Sequence, residues 1–178
     1  MRKIVSGMLL TMLLGTLTLA FNIGTASNAS PETFLCLTPS TIRVRVGDHF
    51  SINVTLEDVA DFFGFEFYLG YNTTLLDTLN VVIHPPFVDF IETNETGGYV
   101  HIAAMLPPDS PPTYGSFPLA SITFNSTSLG DCPLHLYNTS LVNLDSNPIP
   151  HITIDGSVTV YSGIFNSSRQ LPNDTGCC

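Results

Sequence analysis

The chain reads as an all-β sandwich or barrel, on three observations. Some nine short segments alternate apolar and polar side chains with period 2, turn signals recur about every 8–12 residues, and no stretch carries the apolar stripe of an amphipathic helix. Val, Ile, Thr, Phe and Tyr fill the alternating positions, interrupted by 13 Gly and 13 Pro. At 178 residues and 44% hydrophobic content, the length suits one domain with an ample core.

In chain order, Arg2 and Lys3 precede an uncharged run from Ile4 to Ile23 and a small-residue exit, Gly24 to Ala29. This is the pattern of a secretory signal over residues 1–26, cut after Ala26 or Ala29, or of an uncleaved anchor, since the run nearly spans a bilayer. Either reading places the remainder outside the cytoplasm, extracellular or on the cell surface. Without those 26 residues three arginines face 15 acidic residues, a formal charge of −12 with no lysine. Such a surface repels phosphate backbones and anionic lipid heads, so nucleic acid is excluded, and a membrane enters only through an uncleaved N-terminus.

Residues 27–36 read as a polar lead-in, 37–161 as the sandwich and 162–178 as a polar tail. Ile42, Val44 and Val46 alternate with polar neighbours before the Gly47-Asp48 turn, and Ile52, Val54 and Leu56 follow with Asn53 on the outward side. After an acidic connector of Glu57, Asp58 and Asp61 comes the central strand, Phe62 to Tyr71. It aims Phe63, Phe65, Phe67, Leu69 and Tyr71 inward and Gly64, Glu66, Tyr68 and Gly70 outward. Leu75 and Leu76 tuck beneath it.

Strands over Leu79 to Ile83 and Phe87 to Ile91 precede the turn at Asn94 to Gly98. Val100, Ile102, Ala104 and Leu106 then point one way, and Tyr99, His101, Ala103 and Met105 the other. Pro107 to Pro112 is a rigid loop. Leu119, Ile122 and Phe124 mark a further strand with Asn125 outward, Leu134 to Leu136 and Leu141 to Leu144 two short ones, and Ile152, Ile154, Val158 and Val160 the last.

Eight Asn-x-Ser/Thr sequons, at Asn28, Asn53, Asn72, Asn94, Asn125, Asn138, Asn166 and Asn173, predict N-glycosylation of an exported chain. Of the four cysteines, Cys36 and Cys132 form the natural pair outside the cell. Closing their 96-residue loop stabilises by about 4–5 kcal/mol in the chain-entropy model. The adjacent Cys177 and Cys178 are read either as a cross-link to a partner or as the end of a truncated chain.

The segments PSTIRVRVGDHFSINVTLEDV, FEFYLGYNTTLLD, LASITF and NPIPHITIDGSVTV resemble, in that order, a cohesin domain of exported archaeal and bacterial proteins. The most specific piece is the run from Phe67 to Asp77. The resemblance implies a jelly-roll sandwich of two sheets and a non-catalytic module. It implies a dockerin-type partner on polysaccharide-degrading assemblies, held by the sheet that contains Phe62 to Tyr71 and Tyr99 to Leu106. By the same topology Asn53 and Asn125 decorate the opposite sheet. The partner-binding face is then Glu66, Tyr68, Tyr99, His101, Ala103 and Met105, a mix of aromatic, soft and polar groups of the kind protein interfaces use.

Direct sugar binding is the alternative, because aromatic faces stack on sugar rings; with no Trp, Tyr68, Tyr99 and Tyr114 have to serve, and the alternation spreads them apart. Catalysis ranks third. Glu57, Asp58 and Asp61 are close enough in sequence for paired carboxylates but sit in a surface connector. The five histidines, His49, His84, His101, His135 and His151, match no metalloprotease or zinc spacing. Acidic loops such as Glu57 to Asp61 offer calcium hard oxygens, but no EF-hand pattern occurs and no metal residue is assigned.

Overall fold

A computed structural model describes residues 32–94 and 96–163. The expected signal, the sequons at Asn28, Asn166 and Asn173, and Cys177 and Cys178 lie outside the described residues, as does the tail beyond Gly163. Ten strands and no helix occur among the described residues: β1 Phe34–Thr38, β2 Thr41–Arg45, β3 His49–Gly70, β4 Leu76–Ile83, β5 Val88–Asn94, β6 Tyr99–Met105, β7 Thr113–Ser126, β8 Gly130–Asn143, β9 Ile152–Ile154 and β10 Gly156–Tyr161.

The 22-residue β3 organises both layers. Its first half pairs with β1 and β7, and β9 and β4 extend that sheet at its two ends. Its second half pairs with β6 and β8, and β5, β10 and β2 extend the other. β3 passes between the layers at the acidic segment expected as a surface connector. There Asp58 and Asp61 adopt left-handed backbone, φ 53° and 57°, and the register with β7 slips twice. Short polar side chains tolerate that conformation better than most. Val59 between them is buried in the core, which makes the segment a kink within one strand.

The same kink resets the parity of the Phe-rich run. Phe62 and Phe65, not Phe63, turn inward, because the pairing with β8 shifts between Phe62 and Gly64. Phe65 is packed between Phe62 and Phe67, at 6.2 and 5.8 Å, and Phe87 meets it edge-on at 5.4 Å. Each fully buried side chain of this kind contributes roughly 1.5–3 kcal/mol. Phe67, Leu69 and Tyr71 are buried as the alternation predicts, and so are Val100, Ile102, Ala104 and Leu106, while Leu75 and Leu76 are buried beneath the strand as expected.

Further departures share one cause, strand pairing that local alternation does not encode. The end of the expected lead-in is β1, whose Leu35, Cys36 and Leu37 are buried between β3 and β9. The two short segments at Leu134 and Leu141 are one strand, β8, bent at Asn138 with φ 48°. The last segment is two strands in different sheets, which leaves Ile152 on an edge and 43% exposed.

The expected Cys36–Cys132 bridge is not formed. Cys132 is a buried free thiol that accepts the Asn72 N–H at 3.3 Å. The register sets the two cysteines on strands that do not pair, Cys36 opposite Thr55 and Ile154 and Cys132 opposite Val158.

Candidate functional site

The outward surface of β5, β6, the second half of β3 and β8 is a grid of four rows, each reading across four strands by register. Val88, Met105, Gly64 and Val142 form the first row, and Phe90, Ala103, Glu66 and Ser140 the second. Glu92, His101, Tyr68 and Tyr137 form the third, and Asn94, Tyr99, Gly70 and His135 the fourth. The sequence-predicted face of Glu66, Tyr68, Tyr99, His101, Ala103 and Met105 is thus brought together, on two adjacent strands.

Rows one and two form an apolar groove of about 410 Å³. Val88, Phe90 and Met105 rise around it, 57%, 55% and 52% exposed. Gly64 keeps the floor open. A Cβ there meets the Ala104 carbonyl oxygen at 3.2 Å and Val142 Cγ2 at 3.3 Å, so a side chain has no slack except upward into the groove.

Row three is an aromatic and acidic ladder. The His101 ring stacks on Tyr68 at 4.1 Å, Tyr137 lies 5.3 Å from Tyr68 on the β8 side, and Phe90 meets His101 edge-on at 5.6 Å. His101 Nε2 pairs with Glu66 Oε1 at 2.9 Å, while its buried Nδ1 has no hydrogen bond and faces Glu92 Oε2 at 3.7 Å. Desolvation first, then the negative charge of Glu66 and the neighbouring Tyr99, Glu92 and Tyr137, push the Tyr68 phenol above its ordinary pKa.

Tyr99 lies 5.5 Å from Tyr68, so these two tyrosines are not spread as the alternation suggests; Tyr114 is, exposed on β7. At the fourth row Asn94 Nδ2 donates to the Tyr99 hydroxyl at 3.2 Å, and His135 Nδ1 pairs with Asp155 Oδ2. The Asn94 sequon therefore borders this face, and Asn138 stands exposed on β8 beside it. Asn53 and Asn125 lie on the first sheet, in register with β7 and β3 respectively.

Sequence reasoning missed Val88, Phe90 and Glu92, although their spacing by two was a signal for one more outward row edge. It also missed Tyr137 and Ser140, which share a face only because β8 is bulged at Asn138, where alternation fails. The kink acids are used structurally: Asp61 Oδ2 accepts from Asn143 Nδ2 at 3.1 Å, and the Asp58 N–H donates to Ser116 Oγ at 3.1 Å. Among the described residues no three His, Cys, Asp or Glu side chains gather to hold a metal ion.

No known family profile matches the chain, and no curated protein matches it. Solved structures do. A non-cellulosomal cohesin from the archaeon Archaeoglobus fulgidus superposes with a TM-score of 0.64 at 17% identity, covering 74% of this chain and 92% of that one. The seventh ScaB type I cohesin of Pseudobacteroides cellulosolvens gives 0.62 at 20% identity, over 79% and 99%. A type I cohesin–dockerin complex from Clostridium thermocellum gives 0.61 at 13% identity, over 72% and 93%. The described domain has the cohesin-like fold, a jelly-roll β-sandwich.

Proposed function

We propose that this domain is a non-catalytic scaffolding or adhesion module of an exported, glycosylated protein, and that its four-row face receives a dockerin-type domain. The observation that carries the reading is the groove at Gly64, walled by Val88, Phe90 and Met105 and bordered by the Glu66–His101–Glu92 cluster. Exposed apolar side chains gathered beside fixed polar groups are the anatomy of a protein-binding patch, with a core that excludes water and a rim that sets orientation. Structural neighbours include cohesins solved with dockerins, which supports the choice of partner class. An association with polysaccharide catabolism follows if the partner carries such an enzyme.

The second reading is direct carbohydrate binding through tyrosine. The clustering of Tyr68, Tyr99 and Tyr137 favours it. Against it, sugar stacking needs a free ring face, and one face of Tyr68 is taken by His101 at 4.1 Å.

The test is binding of the full exported chain, with and without calcium, to dockerin-bearing proteins and to insoluble polysaccharides. Saturable binding of a dockerin that is lost in a Tyr68→Ala/Met105→Ala variant of unchanged fold supports scaffolding. Retention on polysaccharide alone replaces it with the carbohydrate reading.

A further inference from the structure

The five described sequons are equivalent as sequence and unequal as structure. An asparagine amide is a poor nucleophile, because its nitrogen lone pair is delocalised into the carbonyl. Glycan transfer to it needs an Nδ2 open to solvent and the loss of one of its protons, which frees the lone pair. A donor on Oδ1 makes that proton more acidic, and the hydroxyl two residues on is placed to be that donor.

Asn72 meets both conditions. It is exposed in the turn after β3, and its Oδ1 accepts the Thr74 backbone N–H at 2.9 Å and the Thr74 hydroxyl at 2.8 Å. This is an Asx-turn in which the hydroxyl of the sequon itself supplies the second bond. The turn is fixed: the Asn72 N–H donates to Cys132 Sγ at 3.3 Å, and its carbonyl oxygen accepts from the N–H groups of Leu75 and Leu76, both at 3.0 Å. With Oδ1 engaged by two donors in an exposed residue, Nδ2 is the end of the amide left for the transfer.

Elsewhere the same groups are spent. Asn53 and Thr55 alternate on a strand, where side chains two residues apart stand roughly 7 Å apart, and Asn53 Oδ1 is taken by the Ser121 hydroxyl at 2.6 Å. The Thr127 hydroxyl of the Asn125 sequon gives its hydrogen to the Thr74 carbonyl oxygen at 3.1 Å. Asn94 is held at both ends, Nδ2 on the Tyr99 hydroxyl at 3.2 Å and Oδ1 by the Gly97 N–H at 2.6 Å. Asn138 is exposed, but its backbone is left-handed and its Ser140 lines the groove.

We propose that Asn72 is the sequon the folded domain presents for N-glycosylation, and that Asn94 is closed by the fold. The co-substrate is a lipid diphosphate-linked sugar. Nδ2 attacks its anomeric carbon, the carbon–nitrogen bond forms as the bond from that carbon to the diphosphate oxygen breaks, and the leaving diphosphate takes the electron pair. One amide proton passes to a base of the transferase. Donors on Oδ1 make that proton more acidic.

The test incubates the folded, unglycosylated full chain with a single-subunit oligosaccharyltransferase and its lipid-linked donor, and reads site occupancy by mass spectrometry of peptides. Occupancy at Asn72 is expected to exceed that at Asn94 by about tenfold, the scale of one or two hydrogen bonds that must be released at Asn94. The preference is expected to shrink in urea, and Tyr99→Phe is expected to raise Asn94. An unmodified Asn72 while a free Asn-Thr-Thr peptide is modified overturns the proposal, and so does equal occupancy of Asn94 on the folded chain. The readout involves no docking partner, so its failure leaves the scaffolding reading untouched.

Discussion

The imidazole of His101 lies flat on the phenol of Tyr68, 4.1 Å between centroids and 5° between planes, and one carboxylate, Glu66, holds it there at 2.9 Å. The pair joins β6 to β3 at the centre of the face. Because His101 is only 12% exposed, it stiffens the surface more than it offers a contact, whereas Phe90 at its edge and Met105 two rows away are each more than half exposed.

That division predicts how truncations separate. Phe90→Ala and Met105→Ala remove side chains that are more than half exposed, so melting temperature is expected to hold within a few degrees. Dockerin affinity is expected to fall by about 30-fold or more, the hot-spot range. Calorimetry of binding beside thermal unfolding checks it; the reverse pattern removes the groove from the interface.

Gly64 tests the same groove from its floor. In Gly64→Val the added atoms have the Ala104 carbonyl oxygen at 3.2 Å and Val142 at 3.3 Å from Cβ, and only the groove to grow into. A folded variant, shown by an unchanged far-ultraviolet spectrum and a melting temperature lowered by some degrees, is expected to lose the partner. Full binding by such a variant places the partner elsewhere.

The all-β class and the inward and outward sides of β6 were legible because period-2 alternation is set by local chain geometry. Phe63 was misread as inward because the pairing with β8 shifts between Phe62 and Gly64, just past the left-handed Asp58 and Asp61, and nothing in the local alternation announces that shift. The same limit hid Tyr137 behind the bulge at Asn138. Tyr68, Tyr99 and His101 were found on one face, but their mutual stacking depends on which strands pair and in what register. Pairing is a long-range property, and it also undid the Cys36–Cys132 bridge.

The free Cys132 thiol has its own consequence. Desolvation by burial raises its pKa, and the Asn72 N–H on its sulfur only partly offsets that. Thiolate is the reactive form, so a mapped alkylation of the native chain is expected to spare Cys132 at pH 8 and to reach it in denaturant. Cys132→Ala is expected to cost about 1–2 kcal/mol for lost packing, short of the 4–5 kcal/mol that a 96-residue bridge contributes in the chain-entropy model. Rapid native labelling contradicts the burial.

The raised pKa of Tyr68 sets a sign for alkaline stability. In the folded chain the phenol keeps its proton past the pH at which an unfolded tyrosine, ordinarily near 10, has begun to lose it. Between those points the native state binds more protons than the unfolded state, so stability falls as pH rises. The contribution is complete below about pH 10 and is lost as pH climbs through the folded value. Tyr68→Phe removes that titration, and its melting temperature is expected to decline less steeply above pH 10 than that of the parent chain. Glu66→Gln removes the largest charge contribution but leaves the greater one, desolvation, in place. Its phenolate absorbance is therefore expected to shift only part of the way back toward the ordinary range. A Glu66→Gln titration that returns fully to that range reverses the order of the two causes.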